Sequence, residues 1–263
     1  MAFFTNPFKP QSPPVPKVQP VQAPPVPAQL PKISAPTAAQ IAQHSQLSPA
    51  AQALLTPQQT PAQHLQALQD HHLGNDMVKT LAHGMPDRDG VHWATQSAEK
   101  VSDKLPAEDV HAMKAAQAWV KSPTPANKAA AGAAAAKTNF SGPGAWAAQG
   151  AAWSQPSAPA DSGAASGAAA LPRMTPHAVT ASVLMSSSIH ANPALAAPKA
   201  QVPSLKAPTA ALPSLKAPQV APPQAPQAPA PTVPPAVQAH AFQQQHPFIA
   251  MGLSIASGKS PLG

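Results

Sequence analysis

Proline sets the terms on which this chain can fold. It occurs 38 times in 263 residues, and each occurrence removes a backbone N–H and crowds the preceding turn, so helices start at prolines far more readily than they run through them. Where prolines crowd together, as from Pro7 to Pro36 and again within 191–240, the backbone is driven towards polyproline II and a continuous helix is excluded. Where a single proline follows Thr or Gly and a proline-free run comes next, it marks a helix start instead, because the N–H it lacks would be unpaired in a first turn anyway. Thr60-Pro61, Thr124-Pro125, Gly142-Pro143 and Thr175-Pro176 all have this form.

The four tryptophans, Trp93, Trp119, Trp146 and Trp153, and eight of the nine acidic residues fall between residues 70 and 154. That window is where a core can form. A helix from Pro61 places Leu65, Leu68 and His72 on one side and stops at Gly74. A short one capped by Asn75 or Asp76 carries Met77, Val78 and Leu81. A third, from Pro86 to about Lys104, repeats Val91, Ala94, Ala98 and Val101 at helical spacing with Trp93 beside them. Pro106 opens a helix striped by Val110, Met113, Gln117 and Val120, and Pro125 an alanine helix to about Asn139. The next places Trp146, Gly150 and Trp153 on one face, and Thr175-Pro176 starts a helix with Val179, Val183 and Leu184 as its stripe. A last helix, 247–258, starts at Pro247 and carries Phe248, Ile249, Leu253 and Ile255.

The expected fold class is therefore all-α: a small alanine-rich antiparallel helical domain with long disordered Pro/Ala-rich arms. Residues 1–59 form a disordered Pro/Gln-rich arm, with at most a fraying helix over 37–59. The helical domain spans 60–154, 155–172 are a linker, and 173–190 add a helix to the same domain. A spacer covers 191–240, with Pro-Ser-Leu-Lys-Ala-Pro at 203–208 repeated at 213–218. The C-terminal segment, 241–263, docks its apolar helix back on the domain, since an unpaired apolar helix would be an exposed patch.

Charge narrows the function. The formal net charge is +7, yet the window from 70 to 154 holds eight basic and eight acidic residues, so the excess lies entirely outside it. A nucleic-acid-binding domain wants a basic face with arginine clusters, which this lacks. There is no cysteine, which excludes disulfides and thiolate chemistry. No run approaches the roughly 20 apolar residues of a membrane span, and the first ten residues lack the apolar stretch of a signal peptide. A cytoplasmic location is expected.

Reactive motifs are scarce. His64, His71, His72, Asp76 and His83 are the densest metal-ligand types, but the HExxH spacing is missing. Gly258-Lys259-Ser260 resembles the end of a phosphate loop, except that Leu253 stands where its first glycine belongs. Asp87-Arg88-Asp89-Gly90 lacks the downstream glutamate of a calcium loop. The carboxylates Asp87, Asp89, Glu99, Asp103, Glu108 and Asp109 all lie beside lysines or in first helical turns, as solvated faces do. With no tyrosine and no GxSxG elbow, no catalytic residue, metal or cofactor is expected. Trp146 and Trp153, seven apart, read first as core aromatics and second, with Trp93, as contacts for a protein partner.

Five blocks carry a resemblance: Leu81–Ala94, Ala118–Ala135, Gly144–Ser154, Met174–Met185 and Phe248–Gly258. In this order they are similar to an uncharacterised bacterial family of small all-helical proteins often encoded near type VI secretion genes. The resemblance covers about residues 70–190 and 246–260. It implies no enzymatic activity and no catalytic residue. The functional expectation is a non-enzymatic accessory or adaptor of such a secretion system, acting by protein–protein contact. The alternative is a basic-tailed binder of nucleic acid or anionic surfaces.

Overall fold

The computed structural model describes residues 25–155, 173–196 and 235–259. Every regular element among the described residues is helical: α1 (Ala38–Ser45), α2 (Pro49–Ala53), α3 (Pro61–Asp70), α4 (Gly74–Gly84), α5 (Asp87–Glu99), α6 (Ala107–Lys121), α7 (Pro125–Lys137), α8 (Pro143–Trp153), α9 (Thr175–Ala191) and α10 (Pro235–Ala256), with 3₁₀ turns at Ser102–Lys104 and Pro193–Ala196. The expectations for residues 1–24, for most of the linker and for most of the spacer lie outside the described residues.

Helix starts follow the prolines. Thr60 opens α3 with a reciprocal cap, accepting from the Gln63 N–H at 3.3 Å while the Thr60 N–H donates to Gln63 Oε1 at 2.9 Å. Thr124 Oγ1 likewise accepts from the Asn127 N–H at 3.2 Å to start α7. α4 departs from this pattern. It begins at Gly74 with no side-chain cap, because Asp76 is turned away to bind Ser48.

At the centre lies α8, packed against α5, α6, α7 and α9. Its composition permits this. Ala145, Ala147, Ala148, Gly150 and Ala151 are all buried, and side chains this small let neighbouring helices approach closely. A Cβ added at Gly132 of α7 would come within 3.1 Å of the Ala152 Cβ. Gly150 turns inward, towards Val91 and Ala178, and so does not share an outer face with Trp146 and Trp153 as the spacing suggested.

Two expected boundaries are corrected. Residues 25–59 are not an arm but part of the fold, since Leu30, Ile33, Ile41, Leu47 and Ala51 belong to the buried core. The methyls of Ile33 and Ile41 would lie 3.2 Å from a Cβ placed on Gly84. Polar ties hold the same segment: the Ser48 N–H and Oγ–H donate to Asp76 at 2.9 and 2.8 Å, Lys79 Nζ donates to the Gln46 carbonyl at 2.9 Å, and Lys32 Nζ reaches Asp89 at 3.3 Å. A few scattered aliphatics are enough where each meets a fitting gap.

The second correction concerns α10, which starts at Pro235 and carries Pro247 in its interior. Phe242 on one side of the proline and Phe248 and Ile249 on the other are buried against the domain. Burial of three large side chains, about 1.5–3 kcal/mol each, outweighs the roughly 3 kcal/mol that an interior proline costs.

Candidate functional site

α8 is fixed at both ends by groups from other elements. At its N-terminus the carboxylate of Asp109, on α6, accepts from the Gly144 N–H at 3.0 Å and the Ala145 N–H at 2.7 Å. These are first-turn donors without an intrahelical partner, and a negative charge there also suits the helix dipole. The glycines beside them are required: a Cβ on Gly142 would lie 2.3 Å from the Asp109 carboxyl carbon, and one on Gly144 would lie 2.2 Å from the Asp109 carbonyl oxygen. Burial raises the Asp109 pKa, and the two backbone hydrogen bonds pull it back down. At the other end, Lys128 Nζ donates to the Ser154 carbonyl at 2.5 Å, and the Gln155 N–H donates to Asp87 at 3.0 Å.

With its small face buried, α8 turns its aromatic residues outward. Trp153 is 37% exposed, and Trp146, half-buried, lies 6.4 Å from it between ring centroids. Phe140 extends the row, 40% exposed and 5.9 Å from Trp146. The rings form one contiguous apolar surface. Phe140 was not singled out from sequence, although a phenylalanine between two helices and six residues before Trp146 was a usable signal. Its backbone is unusual, since Asn139 and Phe140 both adopt left-handed φ, 50° and 55°. That conformation costs about 1–2 kcal/mol for a non-glycine residue. The Phe140 N–H donates to Thr138 Oγ1 at 3.2 Å, which ties the turn to the end of α7.

Trp93 does not belong to this surface and is corrected. It is fully buried, with its indole N–H donating to the Phe248 carbonyl at 2.9 Å and its ring lying where a Cβ on Gly252 would meet it at 2.7 Å. α10 covers it, and the apparent candidate is a core residue. Of the sequence candidates, the structure brings together Trp146 and Trp153 only.

Several of the remaining polar side chains join segments of the fold. Asp89 and Asp109, expected on solvated faces, are buried, one held by Lys32 and the other spent on α8. Among the described residues no group of three His, Cys, Asp or Glu side chains converges as a metal site requires. His64 is buried with neither ring nitrogen partnered, and burial lowers its pKa against the opposing pull of Asp76. No helix among the described residues is long and apolar enough to cross a membrane. The aromatic surface is made of two indoles and a phenyl ring, side chains that carry neither a nucleophile nor a group titrating near neutral pH.

No match to the chain is found among curated proteins or among solved structures. Residues 64–205 match the sequence model of a family of unknown function, DUF6931, and the match takes in α4 to α9 and therefore the whole of α8 with its aromatic row. On that match, which spans more than half its length, the chain belongs to DUF6931.

Proposed function

We propose that the protein is a non-enzymatic accessory or adaptor that acts by protein–protein contact through the outer face of α8, and that it serves a bacterial type VI secretion system. The observation that carries the contact is the inverted burial of α8, with alanines inside and tryptophans outside. An isolated exposed apolar residue is ordinary. Here two tryptophans on a helix pinned at both ends adjoin Phe140 in the turn before it, which is held in a costly conformation, and rigid aromatic anchors are what protein interfaces use. The secretion link rests on the resemblance of the five sequence blocks.

Co-purification of the full chain from its native cells tests the partner. Recovery of a secretion-system component supports the proposal, and preparations that repeatedly return none contradict it. The alternative, a basic-tailed binder of nucleic acid or anionic surfaces, draws on Lys9, Lys17, Lys199, Lys206 and Lys216. Because residues 25–59 are part of the fold, the informative deletions are 1–24 and 197–234. Salt-sensitive DNA or vesicle binding that vanishes in these deletions favours the alternative.

A further inference from the structure

A cleft of about 620 Å³ opens between the chain ahead of α1, α1 itself, the end of α4 and the start of α9. It shares no residue with the aromatic row. Its polar wall is formed by His44, His83, His177 and Arg173, with glutamine amides from Gln40 and Gln43. Ile41 and Pro176 give it an apolar side. Among the described residues no carboxylate lines it. We propose that this cleft is a binding site for an oxyanion, a carboxylate or phosphate group carried on a small organic molecule, held by the Arg173 guanidinium and the imidazoles of His83 and His177.

The volume suits a small ligand, and the donor set selects its charge. Arg173 is the only permanently charged residue in the lining. Its Nη2 is engaged by Asp87 and by the Met85 carbonyl at 3.2 Å, which fixes the guanidinium at the rim while a five-donor group retains capacity for a ligand. The imidazoles of His83 and His177 meet edge to face at 4.8 Å, and both line the cleft, so one ligand can reach both rings. An imidazole pair could also attract a transition metal. Among the described residues no third ligand converges with the pair as a metal site requires.

Electrostatics agree with the geometry. His83 is held down to about 4 by burial first, then by His177, Arg173, His44 and Lys79. Every charged or titratable group acting on it is cationic or imidazole, while Asp87 is paired with Arg173. A bound anion supplies the missing opposite charge, and would therefore raise the His83 pKa. For phosphate, which stays an anion there, affinity should rise as the pH falls towards the His83 value of about 4.

The test is a titration of the full-length chain with inorganic phosphate and, separately, acetate, followed by the imidazole nitrogen resonances at constant ionic strength against chloride. The expected result is saturable, joint movement of the His83 and His177 signals with either probe, and a His83 pKa raised by about one unit at saturation. Arg173→Gln should weaken binding about tenfold, as loss of a charge-assisted hydrogen bond does. Because that variant also breaks the Asp87 pair, His177→Gln is the second variant, with His64 signals reporting an intact fold. No movement beyond the chloride control overturns the proposal, as does binding undiminished in both variants or saturation by zinc alone.

Discussion

Asp109 shows how a single residue can hold a site it does not belong to. Its carboxylate takes the place of a side-chain cap for α8 from 35 residues away in sequence, and the Gly142-Pro143-Gly144 triplet exists in a form that admits it. Gly144→Ala would press a methyl against a backbone oxygen that cannot move aside. We expect a loss of about 3 kcal/mol or more in urea-induced unfolding, where a merely exposed glycine would change little. Titration offers a second prediction. His64, His83, His92 and His246 all have pKa values lowered chiefly by burial, so the folded state resists protons that the unfolded chain accepts near the ordinary histidine value. Stability is complete above about pH 6.5 and falls as the pH drops through the window down to about 4 for His83. Asp109, raised by burial above the ordinary 3.8, works in the opposite direction, adding stability as the pH falls through its raised value towards 3.8. In phosphate-free buffer His83→Gln should flatten the slope of stability against pH by about 2 kcal/mol across that window, after allowing for its partial exposure. An unchanged slope would contradict the assignment.

At the scale of elements, proline and its neighbours were the readable signal. Thr60-Pro61 and Thr124-Pro125 start α3 and α7 with the expected caps, because capping is a local property of a few adjacent residues. Three features escaped for the opposite reason: they depend on partners distant in sequence. Ile41 and Leu47 stand among glutamine and alanine without periodicity, and it is distant partners such as Gly84, Asp76 and Lys79 that give that segment somewhere to bind. Pro247 reads as a helix start and lies inside α10, since burial on both sides of it decides the matter. Spacing seven apart correctly paired Trp146 with Trp153, but which face of α8 goes inward is decided by how much alanine surface four other helices can cover. Ile41→Ala should cost about 2–4 kcal/mol in thermal or urea unfolding. A cost below about 0.5 kcal/mol is what a solvated arm would show.

The whole molecule combines an electrically balanced helical window with a basic excess placed outside it. Its polar side chains are largely committed to joining segments: Asp76 to Ser48, Asp89 to Lys32, Asp109 to α8 and Asp87 to Arg173. Apart from the cleft beside Arg173, the exposed feature that these ties leave open is the aromatic surface beside α8, and the proposed contact is made through it. The direct measurement is co-purification from native cells with the full chain and with the Phe140→Ala/Trp153→Ala variant, alongside their unfolding midpoints. Both side chains are more than a third exposed, so the variant should keep its stability to within about 1 kcal/mol and lose the secretion-system partner. A variant that stays folded and still retains that partner would contradict an interface on α8.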